Sequence, residues 1–242
     1  GYIGSHTANV FLDNGYRVAV IDNLTTGHES LIPKKAEFLN CDIAEQDKVS
    51  SFLKKNKFDL VIHFAGLTRV GESTKEPEKY YNNNFEKPKI FFNCCLNYGL
   101  NKIIFSSTGS IYGNVNKKNI LETEKPNPLN PYSDSKYKLE KHLIKLSDEK
   151  KISAIILRFF NVSGADEKMR SGLRTNPDNL IKAICEVATE KRQKLIVNGN
   201  DYNTKDGTAI RDFIHVTDLA EMHMLVAIRL MQESETEIYN CG

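Results

Sequence analysis

The apolar positions of this chain fall into two alternating patterns. Short unbroken apolar and β-branched runs occur at residues 16–21, 37–39, 59–64, 102–106 and 152–157. Continuous runs, rather than every second residue, mark strands covered on both faces, as in a parallel sheet. Between them, residues 5–13, 45–56, 77–98 and 133–148 read as helices. The first closes on Asn14-Gly15, a good C-cap pair. Strand and helix in alternation predict an α/β fold with a doubly wound parallel sheet. After Arg158 the rhythm changes. Residues 161–207 scatter Gly and Asn around one helix (178–189) and one short strand (195–197), which reads as part of a smaller C-terminal substrate lobe. Residues 211–215 and a helix over 218–231 return to the main body. The expected division is 1–160 with a return segment at 208–236, and 161–207 for the lobe.

Composition narrows the classes. Lys and Arg number 33 against 31 Asp and Glu, and the signs are interspersed, as in 145–151. A protein built to neutralise many phosphates concentrates its basic residues, so nucleic acid is not an expected partner. No apolar run is long enough to span a bilayer, so no membrane is expected either. The five cysteines are odd in number and lack C-x-x-C spacing, and the six histidines lack helical i, i+4 pairing, so neither a disulfide framework nor a metal site is expected. A reducing, cytoplasmic setting follows. The chain opens at Gly1, inside what reads as a phosphate-binding turn, and ends at Gly242 just past an apparent strand. Both ends read as cuts.

Gly1-Tyr2-Ile3-Gly4 opens a helix directly. Glycines let a backbone approach a pyrophosphate, and a helix start offers free N–H donors and a positive dipole end. Alone the spacing is weak, since any helix start fits it. The next strand ends at Asp22, where a ribose-binding acid belongs in a Rossmann unit. Such an acid accepts from the 2′- and 3′-hydroxyls and repels a 2′-phosphate, so NAD is favoured over NADP; Asn23 beside it adds no positive charge. A turn residue after a strand explains Asp22 equally well. Asp42-Ile43 follows the run at 37–39, where an acid and an apolar side chain suit the adenine. Phe64-Ala65-Gly66 ends the run at 59–64, where small residues let the backbone line a cofactor groove.

Tyr132 and Lys136 form a Y-x-x-x-K, which a helix presents on one face. A phenol with a pKa near 10 is a poor base until a nearby ammonium stabilises its phenolate. Tyr132 then removes a proton from an alcohol as hydride leaves the same carbon for NAD. The spacing recurs at Tyr98/Lys102 and Tyr137/Lys141. Those two have plain explanations, a helix end before Gly99 and a solvated helix face. Pro131 sets Tyr132 at a helix start, and Ser106-Ser107-Thr108 precede it at a strand end. Thr108 is the candidate hydroxyl partner, with an ordinary strand-end threonine as the plain alternative.

GYIGSHT, DNL, HFAGL, VGES, YYNNN, FSSTGSIYG, NPYSDSK, LRFFNVSGA and GNDYNTKDGTAIRDFIHVTDLA together resemble the bacterial-type UDP-glucose 4-epimerases, of the extended short-chain dehydrogenase (NAD-dependent epimerase/dehydratase) family. The resemblance covers nearly the whole chain. It implies a tightly held NAD, a transient 4-keto sugar, a UDP-sugar substrate, a place in galactose and nucleotide-sugar metabolism, and a homodimer formed through the helices at 77–98 and 133–148. Residue by residue it implies Tyr132 as base, Lys136 as its activator and nicotinamide-ribose ligand, and Thr108 as hydroxyl partner. Gly1, Tyr2, Ile3, Gly4, Asp22, Asn23, Asp42, Ile43, Phe64, Ala65, Gly66, Asn84, Ser106 and Phe160 are implied as cofactor contacts. Asn161, Asn179, Leu180 and Arg211 are implied on the UDP-sugar. Residues 1–160 become the NAD-binding domain and 161–207 part of the UDP-sugar lobe. Two departures stand out: Thr68 followed by Arg69 where the family often has Lys, and Phe159 where it has Tyr. The rivals are a related nucleotide-sugar epimerase acting on UDP-N-acetylglucosamine or a UDP-pentose, a 4,6-dehydratase, and an inactive truncated binding module. A dehydratase needs an acid pair just after Thr108, where this chain has Gly109 and Ser110.

Overall fold

The structure, a computed structural model, describes residues 1–115, 117, 119–174 and 179–242. Helix α1 (Tyr2–Asp13) leads to β1 (Ala19–Asp22), β2 (Glu37–Asn40), α2 (Gln46–Lys55) and β3 (Val61–His63). Helices α3 (Val70–Lys75), α4 (Pro77–Tyr81) and α5 (Lys87–Asn97) precede β4 (Lys102–Thr108), α6 (Pro131–Asp148) and β5 (Ser153–Phe159). Then come β6 (Asn161–Ser163), α7 (Leu180–Ala188), β7 (Phe213–His215), α8 (Val216–Glu233) and β8 (Glu237–Cys241).

Every strand pair is parallel, in the groups β1-β2, β3-β4-β5-β8 and β6-β7. The four-stranded sheet is covered on both faces, as the unbroken apolar runs require. Along β4, Ile103 and Phe105 enter one core with Phe92 of α5 and Leu139 and Leu143 of α6. Ile104 between them points to the other core, with Phe11 of α1 and Leu219 and Leu230 of α8. In β5, Ala154 and Ile156 face the first core, Ile155 and Leu157 the second. This is the strand period of two written into two hydrophobic layers.

The β1-β2 pair is not hydrogen-bonded to the larger sheet among the described residues. A cleft of about 3490 Å³ lies between them, lined by Val20 and Ile21 of β1 and Val61 and Ile62 of β3, and it continues over the carboxyl ends of the strands. The return segment expected at 208–236 stops short of β8, the fourth strand of the main sheet.

Two sequence expectations change. The helix read over 77–98 is broken: residues Asn82–Glu86 form a π-helical turn between α4 and α5, and α3 precedes them as a separate helix. The strand expected at 195–197 is absent. Leu195, Ile196 and Val197 are exposed there, without a paired strand among the described residues, and an apolar triplet with no neighbouring edge forms no ladder. The helix read from 178 is observed as Leu180–Ala188, capped by Asn179; Asp178 lies outside the described residues.

Candidate active site

The carboxyl end of β4 carries three hydroxyls in a row, and each is tied to a different part of the fold. Ser106 Oγ meets His223 Nε2 of α8 at 3.1 Å. The other ring nitrogen of His223 donates to Leu219 O at 2.8 Å, so Nε2 is the acceptor and Ser106 the donor. Ser107 Oγ donates to the Glu140 carboxylate on α6. Thr108 caps the short 3₁₀ turn that follows by accepting from Ser110 N at 3.2 Å, and its hydroxyl offsets part of the upward pKa shift of the buried Tyr132 phenol.

Helix α6 starts where the sequence predicts, and the reasons are local. Asn130 accepts from Ser133 N at 2.9 Å as N-cap, and Pro131 occupies the first turn, where its missing N–H costs nothing. Tyr132 and Lys136 are thereby fixed on one face, both buried. Lys136 Nζ donates to Ser106 O at 3.0 Å and lies 5.0 Å over the Phe105 ring. Burial drives Lys136 down to about 8, with Glu140 opposing the shift. Burial raises Tyr132, with the Thr108 hydroxyl opposing. At rest Tyr132 is therefore a neutral phenol and Lys136, on the same helical face, an ammonium whose backbone partner is Ser106 O.

The loop after β3 closes over this lysine. A Cβ on Gly66 would lie 3.2 Å from Lys136 Nζ and 3.3 Å from Asn84 Oδ1, so the backbone comes close only because glycine stands there. Asn84, from the π-helical turn, is buried and clamps the loop: it accepts from Leu67 N at 2.8 Å and donates to Leu67 O at 2.9 Å. Phe64 lies against Gly4 of α1 on one side and the His223 ring on the other, at 4.8 Å between centroids. Ala65 is exposed beside them.

The residues read from sequence as cofactor contacts gather at the carboxyl ends of β1 and β2. Helix α1 begins at Gly1 without a side-chain cap, so the N–H groups of Tyr2, Ile3 and Gly4 have no acceptor within the helix. The Asp22 carboxylate accepts from Leu24 N at 2.8 Å. Asn23 Nδ2 donates to Asp42 Oδ2 at 3.2 Å, which joins the two strand ends, and Lys87 pairs with the same carboxylate. Ile43 packs on the first core. An uncapped helix start, an acid at the end of β1 and a glycine pressed on the active lysine fit a dinucleotide laid across these ends.

The remaining predicted residues are more dispersed. Phe160 fills the space beside Gly109, where a Cβ would meet its ring at 2.5 Å. Asn161 Nδ2 donates to Asp212 O at 2.9 Å, tying β6 to β7. Asn179 caps α7 through Lys182 N at 3.0 Å and reaches Val162 O at 3.3 Å. Leu180 is exposed, as is Arg211, which donates only as far as its neighbour Ile210 O. Arg69 is exposed in the cleft, its backbone N–H on Tyr80 OH at 3.0 Å, and Thr68 lines the same wall. Phe159 packs on the second core.

Three features of the site escaped the sequence. His223 looks like any helical histidine until α8 is packed on β4. Glu140 was open to detection, because it stands four residues after Lys136 on the same helical face. The contact of Phe160 with Gly109 depends on the end of β5 lying beside the end of β4, which only the sheet register supplies.

Residues 1–242 match the family model described as NAD dependent epimerase/dehydratase family. The UDP-glucose 4-epimerase of Azospirillum brasilense is 37% identical over all of this chain and 70% of its own length. A crystal structure of UDP-glucose 4-epimerase from Brucella ovis in complex with NAD superposes with a TM-score of 0.93 at 38% identity, covering 100% of this chain and 74% of that one. The enzyme of that name from Bifidobacterium longum, in complex with NAD+ and UDP, gives 0.92 at 33% identity, with coverage of 100% and 75%. With the doubly wound parallel fold, the uncapped glycine turn and the Tyr132–Lys136 pair on one face, these likenesses mean that the chain belongs to the NAD-dependent epimerase/dehydratase family.

Proposed function

We propose that the chain is a UDP-glucose/UDP-galactose 4-epimerase working on a tightly held NAD. One observation carries the reading. At the ends of β4 and α6 a buried phenol, Tyr132, a buried hydroxyl, Thr108, and a buried ammonium, Lys136, line one cleft, and Phe160 fills the side of Gly109 where an elimination would need an acid. That arrangement suits reversible oxidation of one secondary alcohol and leaves no group to expel water from the next carbon.

In this assignment Tyr132 takes the proton of the C4 hydroxyl, and Thr108 shares that hydroxyl by a hydrogen bond. Because burial raises Tyr132, its use as a base depends on a nearby cation, which the fold supplies in Lys136. A bound NAD would supply the hydride acceptor and donor at C4, and the 4-keto sugar would turn over in the pocket between the two transfers to present its other face. Tyr132 then gives its proton back to the same oxygen. The start of α1 (Gly1 to Gly4), Asp22, Asn23, Asp42, Ile43, residues 64–66, Asn84, Ser106 and Phe160 are assigned to the cofactor side. Asn161, Asn179, Leu180 and Arg211 are assigned to the UDP-sugar, with the exposed Arg211 fork on the diphosphate. Residues 1–160 with the return segment 208–236 form the NAD domain in this reading, and 161–207 belong to the sugar-nucleotide lobe. The exposed Ile90 and Tyr98 on and after α5 support a homodimer through this helical face. Five free thiols support a reducing, cytoplasmic setting.

The test is direct. The purified protein supplied with NAD and UDP-galactose is expected to yield UDP-glucose. NAD bound with no conversion would overturn the assignment. UDP-N-acetylglucosamine and a UDP-pentose in parallel reactions identify the sugar, and a 4-keto-6-deoxy product would point to the dehydratase instead.

A further inference from the structure

Glu140 lies one helical turn beyond Lys136 and is fully buried. Its carboxylate is saturated. Ser107 Oγ donates from β4, while Arg158 of β5 donates through Nε at 3.2 Å to each oxygen and through Nη2 at 2.7 Å. Arg158, itself buried, sends Nη1 on to Tyr112 OH at 2.8 Å and to Glu122 O at 3.2 Å. A buried ion pair is an expensive way to hold a fold together, since desolvating both charges offsets most of their attraction. Its location suggests what it does. Ser107 stands between Ser106, whose carbonyl holds Lys136 Nζ, and Thr108, whose hydroxyl opposes the upward shift of Tyr132. One carboxylate thus locks β4 to α6 at the level where both contribute to the site.

We propose that Glu140, balanced by Arg158, is a positioning residue for Lys136: it holds β4 in register with α6 through Ser107, and its charge keeps the lysine protonated. This rests on the reading of Lys136 as the partner of Tyr132. The surroundings of the lysine support it. From β3 comes His63, held neutral by burial and by Lys136 itself, with its pKa lowered to about 3. From α8, through Ser106, comes His223, held neutral by burial at about 4. Asn84 is uncharged and Tyr132 is a phenol, so Glu140 is the negative charge on this wall, with Arg158 behind it. Burial alone draws Lys136 down, and Glu140 is the group that opposes it.

Charge and geometry separate in a set of variants of the full chain. The titration of Lys136 is followed by NMR of ¹³Cε-labelled lysine, with NAD bound and after its removal, alongside the alkaline limb of kcat. Glu140→Gln removes the anion and leaves Arg158 unopposed, so the titration should fall by roughly one to two pH units, the scale of one charge a helical turn away at a buried site. Arg158→Met leaves the anion unopposed, so the titration should rise by a similar amount. Opposite shifts are something structural damage does not produce. Ser107→Ala removes the tie but keeps the charge; Lys136 should titrate as in the parent while kcat falls severalfold at unchanged KM. If either charge variant fails to fold, Glu140→Gln with Arg158→Met removes both charges, a substitution buried pairs tolerate, and should place the titration below that of the parent. An unmoved Lys136 titration in Glu140→Gln, or in the double variant where that one does not fold, overturns the proposal. A parent protein without epimerase activity overturns the proposed function instead, and leaves the Lys136 titration still measurable.

Discussion

Replacing Gly109 with alanine tests the wall that separates this chemistry from elimination. The added Cβ would lie 2.5, 2.6 and 2.9 Å from three carbons of the Phe160 ring. Carbon contacts settle at about 3.5–4.0 Å, so the ring must retreat by roughly 1 Å. Gly109 does not have a positive φ, so the backbone adds no strain of its own. The Phe160 backbone is held by its N–H on Cys241 O at 3.2 Å, which leaves the side chain to move. Overpacking of this kind costs about 1–3 kcal/mol. The displaced ring leaves its place beside Gly109 in the lining of the cleft. The urea midpoint should therefore fall by the corresponding amount, and kcat should drop about tenfold, the effect of ~1.4 kcal/mol on a barrier. Adding Phe160→Ala relieves the clash, so the double variant should be more stable than the sum of the single effects by about 1–3 kcal/mol. A Gly109→Ala protein as stable and active as its parent, or strictly additive effects, would refute the argument.

Tyr132→Phe should lower turnover by roughly 10²–10⁴-fold with circular dichroism unchanged, and an unaltered rate would move the base elsewhere. His223→Leu leaves Ser106 Oγ without its acceptor; a loss of about 1–3 kcal/mol is expected in urea unfolding, with faster NAD release as Phe64 loses its ring partner. His63 and His223 are neutral when folded, with pKa values lowered to about 3 and about 4. Both lie below the unfolded value near 6.5, so the unfolded chain binds more protons and stability is lost as pH falls from about 6.5 towards 4. The expected slope approaches ~1.4 kcal/mol per pH unit per histidine, and urea midpoints that stay flat across this range would count against neutral burial. Acid denaturation of the purified protein should release NAD and not NADP, as mass spectrometry would show, because Asp22, the acid proposed for the ribose, would repel a 2′-phosphate.

Much of this site was legible because its parts obey short-range rules. Strand ends and helix starts are set locally, so Asp22, Asp42, Thr108 and Tyr132 could be placed by counting from apolar runs and from Asn130-Pro131. The spacing of Tyr132 and Lys136 needed only helical periodicity, while Pro131 and the strand end at Thr108 set the pair apart from Tyr98/Lys102 and Tyr137/Lys141. What stayed hidden was set by packing across the sheet. The partner of Ser106 is His223, 117 residues away, and that of Arg158 is Glu140 on another element. The strand expected at 195–197 failed for the opposite reason: its residues suit a strand, but strands exist only in pairs, and no local pattern announces a partner. The division of helix 77–98 was invisible because a π-helical turn leaves the composition helical and shifts only the hydrogen-bond pattern.

That turn also makes the number of residues between Pro77 and Asn97 a specification in itself. Each residue rotates a helix by about 100°, so one deletion healing the π-helical turn into regular α-helix would swing everything before it by that angle relative to α5. Tyr81 would leave Asp134, and Asn84 would turn from Leu67. All but one side chain would still be present and the helix propensity of the stretch nearly unchanged, yet the loop resting on Lys136 would lose its anchor. Over this stretch chain length is therefore part of the active-site design, and a single-residue deletion at its surface would do more damage than most substitutions within it.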